Sequence, residues 1–243
     1  MSKRQPKLIL RESCIEDITR TWIPSGFLEV GAGTGYMTRK FLESGFHGVC
    51  YDLGEESRNK LRQNLATFRA RMDVVDDLCS LTPGSFDYLF AFEVLEHIED
   101  DRAALRDWTQ YLKPGGKILV TVPAHAKKFG KSDEIVGHVR RYERHELTDL
   151  LNATGYRDIH LVNYGFPLTE ITRTVSNLLI CRENAHLKLT SVERSTRSSF
   201  SRPQHIRNIL RGLNEGIFSP FKVLQRVFYG KDWGDGLVAT ARK

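Results

Sequence analysis

Cysteine is scarce in this chain and never paired. Cys14, Cys50, Cys79 and Cys181 are scattered over 243 residues, which excludes a disulfide framework and points to reduced, structural thiols. Long apolar runs are also missing, and nothing approaches the ~20 residues that would span a bilayer. The opening, MSKRQPKLILRES, is charged but has no apolar core of the length a signal peptide needs. A cytoplasmic protein is the expectation. There are no internal repeats. What remains is ordinary for one globular domain with a sizeable core: 40% hydrophobic and 27% charged residues. The net charge of +6 is unevenly spread. Residues 1–166 hold 23 Lys/Arg against 24 Asp/Glu, while residues 167–243 hold 13 against 6. The basic last third suits an anionic substrate, a nucleic acid or a membrane surface, or is simply a solvated face.

The most informative stretch is FLEVGAGTGYMTRKF, Phe27 to Phe41. It reads as an apolar strand, a loop with glycine at 31, 33 and 35, and an amphipathic helix. Glycines at every second position let the chain turn sharply and let a ligand lie against bare backbone. A dinucleotide loop would want Gly-x-Gly-x-x-Gly. Here Tyr36 takes the last position, and Glu29 precedes the first glycine. A carboxylate there disfavours a pyrophosphate and favours a ligand carrying positive charge.

The rest of the chain alternates strand and helix. Helical spacing covers about 8–22, and strands are expected near 27–30, 47–51, 71–75, 86–92, 117–122, 157–163 and 236–241. Helices fall between them, near 36–44, 55–67, 100–112 and 143–154. Lys113-Pro114-Gly115-Gly116 reads as a stop before the fifth strand. This predicts an α/β fold with a doubly wound, mostly parallel seven-stranded sheet. Residues 1–165 and 235–243 would form that core. Residues 166–234 would be a helical, basic insertion, with a Ser/Arg-rich loop at 191–204 and amphipathic helices at 205–228 broken by Pro220. Those helices could pack on the core or rest on a membrane surface.

Asp52 ends the second strand, 17 residues after Gly35, and Asp76 and Asp77 end the third. Taken in order, LEVGAGTG, YDLG, VVDDL, FDYLFAFEVLEHIED, LKPGGKILVTVP and GLVATARK resemble the class I S-adenosylmethionine-dependent methyltransferases. The resemblance covers residues 25–165 and the last strand. It implies S-adenosyl-L-methionine as cofactor. Glu29, Gly31, Gly33 and Gly35 would hold its methionine part, Asp52 its ribose, and Asp76 with Asp77 its adenine. Phe92 or Glu93 would line the sulfonium side.

Glu93, Glu96 and His97 form Glu-x-x-Glu-His at the expected start of a helix, where this spacing would share one face. The motif resembles the metal site of the small-RNA 2′-O-methyltransferases and of the ubiquinone-pathway O-methyltransferases. That resemblance implies a further histidine after strand five, and His138 of Gly-His-Val-Arg-Arg-Tyr stands there. Two carboxylates and two imidazoles suit a divalent ion of the Mg/Mn/Zn class that lowers an acceptor's pKa. Without a metal, Glu96, His97 and His138 would be catalytic or packed residues. The loop around them offers Arg140 and Arg141 for an acidic acceptor group, Tyr142 beside them, and His125 and His145 as further bases.

The expectation is O-methylation of a small-molecule, glycan-like or lipid-linked acceptor, with or without a metal. An RNA ribose methyltransferase is the second reading, weakened by the lack of aromatics among the arginines. A non-catalytic cofactor-binding module is the third, and a nicotinamide oxidoreductase the weakest.

Overall fold

The computed structural model describes residues 6–173 and 215–243. The first helix, α1 (Pro6–Thr19), leads into β1 (Gly26–Val30), α2 (Tyr36–Glu43), β2 (His47–Tyr51), α3 (Glu55–Asn64), β3 (Met72–Val75) and β4 (Phe86–Phe92). Then come α4 (Asp101–Thr109), β5 (Leu112–Pro123), α5 (Lys131–Val136), α6 (Arg144–Ala153), β6 (Arg157–Tyr164), α7 (Ser219–Leu224) and β7 (Gly236–Arg242). The seven strands lie in the order β3-β2-β1-β4-β5-β7-β6. β1 to β5 run parallel, and β7 pairs antiparallel with both β5 and β6. This is the expected mostly parallel, doubly wound sheet.

Strand periodicity builds two cores. Phe27, Tyr88, Phe90 and Phe92 face one side with Met37 and Phe41 of α2, Leu61 of α3 and Ile9 and Leu10 of α1. Leu28, Val30, Leu89 and Ala91 face the other with Leu105 and Trp108 of α4 and Leu147 and Leu151 of α6. β4 is buried at six of its seven positions, as a central parallel strand must be. Glu29 shares the face of Phe27, so the period of two sends this carboxyl beneath α2.

The differences from expectation have local causes. α1 stops at Thr19, and Trp22 instead stacks on Tyr88 with ring centroids 4.9 Å apart. β5 begins five residues early and runs through Pro114-Gly115-Gly116. There the Gly115 N–H donates to the Lys243 carbonyl and the Lys243 N–H to the Gly116 carbonyl. The end of the last strand thus turns an apparent stop signal into paired backbone. The short α5 was not anticipated. Pro220 sits in the first turn of α7, preceded by a 3-10 turn over Glu215–Phe218. Residues 168–173 are helical. The loop at 191–204 and residues 205–214 lie outside the described residues, as does Cys181. No helix among the described residues is long and apolar enough to cross a membrane.

Candidate active site

The loop after β1 is built as its glycines require. Gly31, Gly33 and Gly35 have φ of 70°, 55° and 78°, the left-handed region that side chains avoid. A Cβ on Gly31 would stand 2.5 Å from Val94 Cγ2, and one on Gly35 would stand 2.6 Å from Leu61 Cδ1. Buried Asp52 underpins the loop: its Oδ2 accepts the Gly33 N–H at 2.9 Å, and its Oδ1 the Gly54 N–H at 3.4 Å. Glu29 is 2% exposed and accepts a hydrogen bond from the Thr38 hydroxyl at 2.7 Å. Burial pushes its carboxyl up to about 8, against the opposing pull of Thr38 and the Arg11 charge. A largely neutral carboxyl in this position ionises when a cation settles beside it.

The second half of the site is assembled from three distant segments. Glu93 does not share a helical face with Glu96 and His97. Its φ is 56°, so the chain turns there, and only Leu95–His97 form a single 3-10 turn. The turn sends the Glu93 side chain towards α1, where Lys7 Nζ lies 2.8 Å and Arg11 Nη1 3.5 Å away. Burial works against its charge, yet Lys7 and Arg11 hold the Glu93 carboxyl well below the usual range. Glu96 is the opposite case. It is fully buried, and neither carboxyl oxygen has a hydrogen-bond partner among the described residues. Burial, with the nearby Glu93 charge, raises it well above a normal carboxyl.

His138 is brought in from across the sheet edge. The Val139 N–H donates to the Glu96 carbonyl at 2.8 Å. His138 Nε2 then stands 3.7 Å from Glu96 Oε1, and its ring lies edge-on to that of His97 with centroids 4.8 Å apart. Each imidazole is oriented through Nδ1, that of His97 on the Gly137 carbonyl at 3.1 Å and that of His138 on Asp133 Oδ1 at 2.8 Å. One ligand atom each from Glu96, His97 and His138 fit within 4.8 Å of one another. A buried carboxyl without a hydrogen bond among the described residues, beside two imidazoles, fits a divalent ion that accepts nitrogen and oxygen donors. Glu93, expected as a fourth ligand, is outside this group and is neutralised by α1 instead.

Several other expected site residues have structural partners. Asp76 is exposed and holds Arg58 and Arg62 at 2.8 and 2.9 Å, which keep its carboxyl below the usual range. Asp77 caps the 3-10 turn that follows it, accepting the Cys79 N–H at 2.9 Å. Phe92, at the end of β4, turns into the aromatic core and stacks on Phe41 at 6.2 Å. Arg141 is no free anion ligand, being buried between Asp133 at 2.9 Å and Asp235 at 2.8 Å. Arg140 pairs with Asp101 at 2.9 Å, and the Tyr142 hydroxyl donates to the same carboxylate at 2.7 Å. His125 is buried with Nδ1 3.2 Å from Glu143, and His145 is exposed on α6. The residues missed from sequence are Lys7, Arg11 and Asp133. Lys7 and Arg11 carried a signal, since an i, i+4 pair shares one helix face. Asp133 carried none.

Comparison with known proteins identifies the family to which this fold belongs. A family model described as a methyltransferase domain matches residues 9–161. The ubiquinone biosynthesis O-methyltransferase of Idiomarina loihiensis is 31% identical over 114 residues, covering 45% of this chain and 47% of that protein. The protein of the same name from Xanthomonas euvesicatoria pv. vesicatoria is 33% identical over 98 residues, covering 39% and 41%. The matched region therefore spans about half the length of these relatives or less. Among solved structures, phosphoethanolamine N-methyltransferase 2 of Haemonchus contortus in complex with S-adenosyl-L-methionine superposes with a TM-score of 0.58. It is 20% identical and covers 96% of this chain and 52% of that one. A SAM-dependent methyltransferase from Archaeoglobus fulgidus gives a TM-score of 0.57 at 16% identity, covering 100% and 96%. These likenesses establish the fold. With the family match over residues 9–161, the chain belongs to the methyltransferase domain family and has the fold of S-adenosylmethionine-dependent methyltransferases.

Proposed function

We propose that this protein transfers the methyl group of S-adenosylmethionine to a hydroxyl of a small-molecule acceptor. We propose further that Glu96, His97 and His138 hold a divalent ion for that reaction. The observation that carries the reading is Glu96: a fully buried carboxyl without a hydrogen-bond partner among the described residues, set against two oriented imidazoles. The matched relatives named for O-methylation support oxygen as the acceptor atom.

The chain's own residues would divide the work. The loop of Gly31, Gly33 and Gly35 offers bare backbone to the methionine part of the cofactor, and buried Asp52 offers a carboxylate at the end of β2 for the ribose. Glu29 supplies latent negative charge beneath a cationic ligand. Val94 packs against Gly31 and joins the cofactor loop to the Glu96 turn, so cofactor and acceptor meet at one sheet edge. Methyl transfer is an in-line displacement, in which positioning and exclusion of water contribute most. A divalent ion, when bound, supplies Lewis acidity that lowers the pKa of an acceptor hydroxyl.

The test uses purified protein, methyl-labelled S-adenosylmethionine and a cell extract of its source, with and without chelator. Label in the small-molecule fraction, lost on chelation and restored by Mn2+ or Zn2+, is the expected result. Transfer that persists undiminished in a strong chelator would sink the metal reading. Label confined to RNA would replace the acceptor class.

A further inference from the structure

We propose that Asp133 is a positioning residue for the Glu96–His97–His138 pocket, fixing the tautomer and rotation of the His138 ring so that Nε2 presents its lone pair towards Glu96. The inference rests on the metal reading above and extends it to a residue outside the donor set. Asp133 is 2% exposed and lies on the short α5. Its Oδ1 accepts two hydrogen bonds, from His138 Nδ1 at 2.8 Å and from Arg141 Nε at 2.9 Å. Its Oδ2 accepts the Gly130 N–H at 2.9 Å. Each of the three partners is a donor, so turning the carboxylate away would leave at least one buried N–H without an acceptor. A carboxylate in this place demands a proton on His138 Nδ1. In a neutral imidazole the other nitrogen, Nε2, then bears the lone pair. That nitrogen is the one 3.7 Å from Glu96 Oε1.

The arrangement is the carboxylate–histidine pairing that orients metal-ligating imidazoles in general. Here it is reinforced from behind. Arg141 is itself buried, and its second contact is Asp235 at 2.8 Å, one residue before β7. The chain Asp235–Arg141–Asp133–His138 therefore ties the ring to the sheet through hydrogen bonds alone. The other ligand histidine is held differently, by a main-chain carbonyl, so the two imidazoles should respond differently to side-chain substitution.

The substitution Asp133→Asn separates positioning from mere packing. An amide of the same shape must present NH2 to at least one of three donors. If it faces His138, the ring is driven to the opposite tautomer, with a proton on Nε2 aimed at the pocket. The experiment titrates the metal-free protein with Zn2+ or Mn2+ by calorimetry. It also records the imidazole 15N correlation spectrum, which reads the tautomer directly. Wild type should take up one ion with His138 Nε2 unprotonated. Asp133→Asn should bind the same ion about 10–100-fold more weakly, with a changed His138 pattern, an unchanged His97 pattern and unaltered binding of S-adenosylhomocysteine. Glu143→Gln, which touches His125 rather than His138, should leave metal affinity as in wild type. Unchanged affinity in Asp133→Asn would overturn the positioning role and leave the metal reading standing. A wild-type protein that takes up neither ion would overturn both. If Asp133→Asn fails to fold, the wild-type spectrum still decides, because a proton on His138 Nε2 is incompatible with the proposal.

Discussion

Glu29 and Glu96 are both buried carboxyls near the ends of neighbouring parallel strands, and both are pushed up by burial. Their surroundings differ. Glu29 has a hydroxyl partner, Thr38, only nine residues along the chain. Glu96 has no hydrogen-bond partner among the described residues, and the imidazole that joins it from another segment, His138, arrives from 42 residues away. The cofactor half is therefore a local construction of one strand, one loop and one helix. The acceptor half is a meeting of distant segments around a group left unsatisfied. A partnered carboxyl can stand in the ligand-free protein at moderate cost. An unpartnered one costs about 1–3 kcal/mol or more, which is reason to look for what it binds.

The largest expected effect breaks the acceptor half alone. Glu96→Ala or His97→Ala should lower methyl transfer by about 100-fold or more while leaving S-adenosylhomocysteine affinity near wild type. Calorimetry beside a turnover assay checks this, and loss of cofactor binding would show that the halves are not separable. Next in size is Gly31→Ala, at the contact between the two halves. Its left-handed backbone and its 2.5 Å approach to Val94 predict a loss of about 1–3 kcal/mol in stability, together with weakened cofactor binding, read from denaturant curves.

A subtler change sharpens the contrast through pH. The Glu29 carboxyl lies at about 8 in the folded protein, against 4.5 for an ordinary glutamate. Its stabilising contribution is full below the unfolded value and is lost as pH rises to the folded one. The melting temperature of the ligand-free protein should therefore fall between about pH 5 and 8, and Glu29→Gln should remove its share of that slope. Cofactor binding to wild type should release a proton near pH 7, and to Glu29→Gln it should not. Equal release by the two proteins, measured in buffers of different ionisation enthalpy, would end the assignment of latent charge to Glu29. The smallest effect is the control. Lys60→Ala removes an exposed i, i+4 pair with Glu56 on α3, worth about 0.3–0.5 kcal/mol, and should change neither half.

The cofactor half was legible because its chemistry is written in consecutive residues. Three glycines in seven positions can only be a tight backbone feature, and an acidic residue ending the next strand lies beside it in any parallel sheet. Asp76 and Asp77 follow β3, where Oδ1 of Asp76 meets Arg58 and Arg62 of α3 and Oδ1 of Asp77 accepts the Cys79 N–H. The Glu-x-x-Glu-His motif was readable as chemistry and misread as geometry. Helical spacing was assumed, whereas a left-handed residue at Glu93 splits the motif between α1 and the Glu96–His97–His138 cluster.

By itself the sequence determined the alternation of strand and helix, the glycine loop, and the identity of the groups able to do chemistry, because periodicity and residue type are properties of short stretches. Only the tertiary structure decided which of those groups share a site. Arg141 came to lie between Asp133 and Asp235, Tyr142 against Asp101 and Phe92 in the aromatic core, α1 neutralised Glu93, and the turn after α5 carried His138 to Glu96. Each of those outcomes depends on residues far apart in the chain, and the pairing of distant residues is set by how the layers pack, which no local pattern encodes.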